Sequence, residues 1–317
     1  MKITINPVKR ETMECFDNNV IATLCEHWKR SVELYFLYCF CFVFDKSHLK
    51  NDMLFGAPPI YVGDRRFLSK RLKNIGLRLK AVEDKKKMLR IIKEQLELSL
   101  PVAVCIDSFW LPWNQEYLNN NATHFILVSG YDDISNSELT CVDGMLSPKE
   151  LHIGAEHIIS HCDYILLVEK LSEPKFSKSE MMEAIKDGFN EMDKTIMNEQ
   201  LEMFSDYLAS DESMHFANDE MIETSKLVFE LSSLSWSRHN YADSLCFVDQ
   251  ITASSQFHDV IERLYNASRL WLQLKDKFIK YYYSGSITRF RNKLGDSIKT
   301  LHEKEREIIH NINQIIK

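Results

Sequence analysis

Three side chains in this sequence are of the types that nucleophilic acyl chemistry needs: Cys15, His124 and Asp143. A thiol attacks, an imidazole takes and returns its proton, and a carboxylate orients the imidazole. Taken singly, each has a plainer reading. An unpaired cysteine is most often a small buried hydrophobe, a histidine opening an apolar strand is a core or strand-end residue with a satisfied hydrogen bond, and an aspartate before Gly144 is a turn residue. Placement changes the balance. Glu14 and Asp17 flank the start of a run in which Val20, Ile21, Leu24 and Trp28 recur at helical spacing, so Cys15 is expected at a helix N-terminus. There, unpaired backbone N–H groups and the helix dipole favour thiolate and can hold an oxyanion. Cys25, Cys105, Cys141, Cys162 and Cys246 lie in apolar-patterned segments and have no comparable argument.

The elements that must position the other two residues are strands. Residues 99–107, 123–131, 138–143 and 163–169 are rich in β-branched residues and bounded by turn residues, which predicts a largely antiparallel sheet. The second and third are joined by the polar segment 132–137, the length of a hairpin turn. If the turn is centred between Asp133 and Ile134, His124 lies directly opposite Asp143; if it is centred one residue later, the two are diagonal neighbours. Both registers leave them on one face, close enough for the carboxylate to engage one ring nitrogen while the other faces a thiol.

The segments PVAVCIDSFWLPW, THFILVSGYDD and TCVDG, with MECFDNNVIATL at the start, resemble the N-terminal domain family of butirosin biosynthesis protein H (BtrH), within the C39-like branch of papain-like cysteine enzymes. The resemblance covers roughly residues 10–170. It implies transfer of an acyl group from the phosphopantetheine thioester of an acyl or peptidyl carrier protein, through acyl-Cys15, to a small-molecule amine or other nucleophile in specialised-metabolite biosynthesis, such as nonribosomal peptide, polyketide or antibiotic pathways. No bound cofactor is implied, since the phosphopantetheine arrives on the donor. The peptidase branch places a glutamine shortly before the cysteine to complete the oxyanion hole. Here Lys9 holds that place, and no glutamine precedes Gln95. This favours transfer over a C39-like peptidase or thioesterase, which would use the same three residues with water as acceptor. A third reading is a catalytically inactive carrier-docking module in which Cys15 is structural.

Other candidates accompany the triad. The loop after the first strand carries Asp107, Trp110, Trp113 and Tyr117, expected to wall an acyl pocket or to anchor the loop on the core, with Asp107 binding substrate or capping the chain reversal. Between Arg65 and Lys93 lies a strongly basic stretch, read as solvated helix and loop faces or as a docking patch for an acidic, phosphate-bearing carrier. His152, His157, His161 and Cys162 raise zinc, but no glutamate follows His157 as a metalloprotease motif requires, so no metal is assigned.

At 317 residues the chain predicts two domains, placed at 1–172 and 173–317. The second half is expected to be an all-α bundle, with helices at about 177–209, 213–234, 255–283 and 286–316, shaping the acceptor site or a homodimer interface. The fold class is therefore α+β: a papain-like domain with an antiparallel sheet and a cysteine-bearing helix, then helices. A net charge of -7 argues against nucleic-acid binding. The longest apolar run, Tyr35 to Phe44, is too short to span a bilayer and reads as buried core. Met1 to Arg10 lacks a signal-peptide pattern, and eight scattered cysteines without zinc-type spacing predict reduced thiols in a cytoplasmic protein.

Overall fold

The computed structural model describes residues 1–40, 42–44, 55–56, 65–132, 137–190, 194–208, 226–284 and 287–317. In chain order its elements open with a π-helical run, Phe16–Ala22, that continues into α1 (Thr23–His27). A 3-10 segment (Val32–Tyr38) precedes the short strands β1 (Val43–Phe44) and β2 (Phe55–Gly56). Then follow α2 (Arg65–Asn74), β3 (Leu77–Val82), α3 (Lys85–Glu97), β4 (Val102–Asp107), a 3-10 turn (Ser108–Trp110), β5 (Thr123–Asp132), β6 (Glu138–Val142), β7 (Leu151–Gly154), α4 (Ala155–His161) and β8 (Cys162–Lys170). The remainder is helical: α5 (Lys178–Asn190), α6 (Lys194–Leu208), α7 (Lys226–Ile251), α8 (His258–Tyr283) and α9 (Ile287–Ile315).

The chain forms two compact units, which differ from the single cut expected between 172 and 173. One comprises Met1–Val32 and Leu68–Pro174, and the other Glu33–Phe67 and Lys175–Lys317. Segment 33–67 joins the helical unit because its aromatic side chains find partners there. Phe40 stacks on Tyr241 at 5.4 Å, and Phe42 on Trp271 at 5.9 Å. Burial of such rings is among the largest apolar contributions a core receives. Cys41 and the turn residues 133–136 lie outside the described residues.

The first unit is built on a six-stranded sheet, antiparallel throughout, in the order β3-β8-β4-β5-β6-β7. On one face, Val102, Val104 and Ile106 of β4 and Ile126 and Val128 of β5 pack with Met88, Ile92 and Leu96 of α3 and Ile158 of α4. The other face meets the cysteine-bearing helix, where Phe16 packs edge-on to Phe125 at 4.9 Å. Two strands were not expected. β3 alternates apolar and basic residues (Leu77, Arg78, Leu79, Lys80, Ala81) but lies inside the basic stretch read as solvated helix and loop faces, and β7 is only 4 residues long.

In the second unit the last helix buries Leu294, Ile298, Leu301, Ile308 and Ile312 along one face, as an amphipathic helix does. The helix expected at 213–234 falls partly outside the described residues, and α7 runs on to Ile251. Among the described residues no helix is long and apolar enough to cross a membrane.

Candidate active site

The helix that carries Cys15 is wide at its start. The Thr23 N–H reaches back to Asn18 O, and its hydroxyl donates to the same carbonyl at 3.0 Å. A π-turn inserts an extra residue per turn and re-aims side chains, a feature concentrated at functional sites. Here it buries Asp17, Asn18 and Asn19. Cys15 itself is half-buried at the head of the helix, with its sulfur 3.9 Å from Thr123 O. Every described cysteine is a free thiol.

Strands β5 and β6 bring the other two residues together. Leu127 pairs with Val142 and Val128 with Cys141, and one step further places Asp143 opposite Ile126, diagonal to His124. The register shifts between Val128 and Gly130. That bulge makes the diagonal arrangement the observed one, and His124 Nε2 lies 2.8 Å from Asp143 Oδ2. This leaves Nδ1 for the thiol, and the Cys15 side chain is a hydrogen-bonding and electrostatic neighbour of the imidazole. Burial on its own would lower the His124 pKa. The hydrogen bond to Asp143, the one with Cys15 and the charges of both outweigh it and raise the pKa to about 10. Asp143 is fully buried, which on its own would raise its pKa, but the His124 hydrogen bond and charge, with Trp113 and Asn19, hold it below the ordinary carboxylate value. The arrangement thus favours an imidazolium locked to a carboxylate beside a sulfur. By contrast, burial pushes the Cys105 thiol up to about 12 and the Cys141 thiol higher still.

Sequence reasoning missed Asn19. Its amide donates to Asp143 Oδ1 at 2.8 Å and to Phe125 O at 2.8 Å, while its oxygen accepts the Met145 N–H at 3.1 Å. One side chain therefore ties the cysteine helix to both strands of the hairpin. The signal was the pair Asn18-Asn19 inside an otherwise apolar helix face. Asn18 donates to Val8 O at 2.7 Å and accepts the Arg10 N–H at 2.8 Å, fixing the segment that leads into Cys15. Gly144 is required there by close approach, because a Cβ would stand 1.9 Å from Val8 O.

The loop residues expected near substrate are placed as follows. Trp113 donates its indole N–H to Asp143 Oδ2 at 3.0 Å and so helps position the carboxylate. Trp110 stacks on His161 at 3.7 Å, and its carbonyl lies 2.7 Å from His157 Nε2, which anchors the loop. Asp107 Oδ1 accepts the Phe109 and Ala122 N–H groups, both at 3.0 Å, and closes the base of the loop. Of the four residues that raised zinc, His157 and His161 lie 4.8 Å apart as rings, while Cys162 begins β8. Among the described residues no group of three or more His, Cys, Asp or Glu is placed to hold a metal.

The basic stretch divides. Arg71 is buried 3.6 Å from Asp17, inside the unit. Lys85, Lys86 and Lys87 are exposed at the start of α3, where the Lys85 Nζ donates to Ser160 O at 2.8 Å. No protein-family model matches the chain, and no curated protein matches it.

Proposed function

We propose that the protein is a cysteine-dependent acyltransferase with a papain-like thiol domain, acting on a carrier-bound thioester. The observation that carries this reading is the shared imidazole: His124 holds Asp143 through Nε2 at 2.8 Å and is a hydrogen-bonding neighbour of the Cys15 thiol. A nucleophile and base in reach of each other, with the base fixed by a third group, is the arrangement covalent acyl transfer requires.

In this reading the Cys15 thiolate attacks the thioester carbonyl, and the Cys15 N–H supports the oxyanion. Collapse breaks the bond to the carrier sulfur, which takes a proton from the His124 imidazolium. An amine then attacks acyl-Cys15, its proton passes to His124, and collapse releases the amide and restores thiolate and imidazolium. The apolar and aromatic setting of the carboxylate, closed by Trp113, strengthens each charge interaction.

The start of α3 supports a carrier as donor. Three lysines occupy a helix N-terminus, where the dipole disfavours cations and attracts anions. That end touches Ser160, which precedes the His161 that stacks on Trp110, so it neighbours the loop carrying Trp113. An acidic, phosphate-bearing partner would be steered there.

The test is product analysis with an acyl carrier protein thioester, with and without a primary amine. Amide as the main product supports transfer. Free acid regardless of amine would make the protein a thiol hydrolase, and neither product would leave a docking module.

A further inference from the structure

Strand β8 does not run evenly along β4. Cys105 pairs with Tyr164 and Ile106 with Cys162, so Asp163 is an extra residue and the register shifts there. Such a bulge sets two residues against one and re-aims their side chains, which is why bulges gather beside active sites. Both re-aimed side chains reach the same thiol. Asp163 Oδ2 lies 4.0 Å from Cys105 Sγ, and the Tyr164 phenol hydrogen-bonds Cys105.

This pair stands next to the nucleophile. Cys105 lies opposite Phe125 across β4 and β5. The Phe125 ring meets Tyr164 at 6.3 Å and Phe16, the residue after Cys15, at 4.9 Å. Cys105 and Tyr164 both feel the charge of Cys15. An exposed carboxylate and a half-buried phenol therefore stand side by side, the phenol ring against the buried ring of Phe125. Burial, then the charge of Cys105 and the hydrogen bond with it, push the Tyr164 phenol up, so its oxygen stays neutral and able to accept. None of these groups is used by the triad.

We propose that Asp163 and Tyr164 form a subsite for an ammonium group of the substrate, a proposal that rests on Cys15 being the nucleophile. The carboxylate supplies opposite charge, and the phenol oxygen accepts a second hydrogen bond. The nitrogen recognised is not the one acylated, because an ammonium has no lone pair with which to attack. It belongs either to an aminoacyl donor or to an acceptor with more than one amine.

The test compares rates of Cys15 alkylation by cationic 2-bromoethylammonium and by neutral iodoacetamide, read by peptide mass mapping of the full chain. The cationic-to-neutral ratio is expected to fall about tenfold in Asp163→Asn, the scale of one hydrogen bond to a charged group, and about threefold in Tyr164→Phe. An unchanged ratio in either variant overturns the subsite. Slow labelling of Cys15 by both reagents speaks instead against the nucleophile, which keeps the two failures apart. A second arm uses N-acetylcysteamine thioesters of β-alanine and propionate as donors and a diamine and a monoamine as acceptors. The KM that Asp163→Asn raises selectively, for the β-alanine donor or for the diamine, assigns the source; raising neither overturns the proposal.

Discussion

Asn19 donates to Oδ1 of Asp143 at 2.8 Å, which leaves Oδ2 to His124 and Trp113. A residue of the cysteine helix thus holds the carboxylate that pairs with His124. Asn19→Ala removes this tie and leaves Phe125 O, Asp143 Oδ1 and the Met145 N–H without their partner. The expected loss is about 2 kcal/mol in urea denaturation. Acyl transfer should fall as well, and its pH profile should shift as His124 loses part of its support. A variant with lost stability but an unaltered pH profile would mark Asn19 as purely structural.

Much of the site was legible in the sequence, because its parts follow local rules. A short hairpin brings His124 and Asp143 near one another from spacing alone and a helix start is marked at Cys15, whereas only the family resemblance set Cys15 beside the pair. Both the opposite and the diagonal register were legible, but not the choice between them, since it depends on a bulge at Ser129 that no local pattern marks. Asn19 was missed because an asparagine in a helix normally faces water, and only the tertiary fold turns it inward. Segment 33–67 was assigned to the first domain by sequence order, whereas burial of Phe40 and Phe42 is decided by rings far along the chain.

Stability should depend on pH through the His124 and Asp143 pair. The His124 pKa is raised from 6.5 to about 10 in the folded chain, so its contribution is complete below pH 6.5 and is lost as pH rises toward 10. The Asp143 pKa is lowered from 3.8, so its contribution is present above that value and is lost as the pH falls through the folded pKa. Urea midpoints of the wild type and Asp143→Asn are expected to differ most between pH 4 and 6.5 and to converge toward pH 10. A difference that stays constant across this range would contradict the pairing.

Gly144→Ala should disturb the site without touching its chemistry. The added Cβ would lie 1.9 Å from Val8 O, so either that segment or the turn after Asp143 must move. Overpacking of this kind costs about 1–3 kcal/mol. Melting temperature and transfer rate are both expected to drop, whereas a variant with wild-type values in both would remove the close approach from the account.

The helical unit has its own buried network. Arg238 grips Glu305 through two bonds of 2.7 Å, and Trp271 Nε1 donates to the same carboxylate at 2.7 Å, with Arg238 and Glu305 fully buried. Removing one charge leaves the other stranded, so Arg238→Ala or Glu305→Ala should cost about 3–5 kcal/mol. Replacing both with apolar residues of similar volume should cost much less. Denaturation followed by tryptophan fluorescence distinguishes these outcomes, and a double-variant loss equal to the sum of the two single losses would show that the pair is not coupled.

In the proposed reaction Cys15 carries the acyl group, and intact-mass analysis after mixing the protein with an acyl carrier protein thioester shows whether it does. A single acyl adduct is expected that maps to Cys15, disappears on addition of an amine, and is absent in Cys15→Ala. An adduct that persists in Cys15→Ala, or none with any thioester donor, would contradict it.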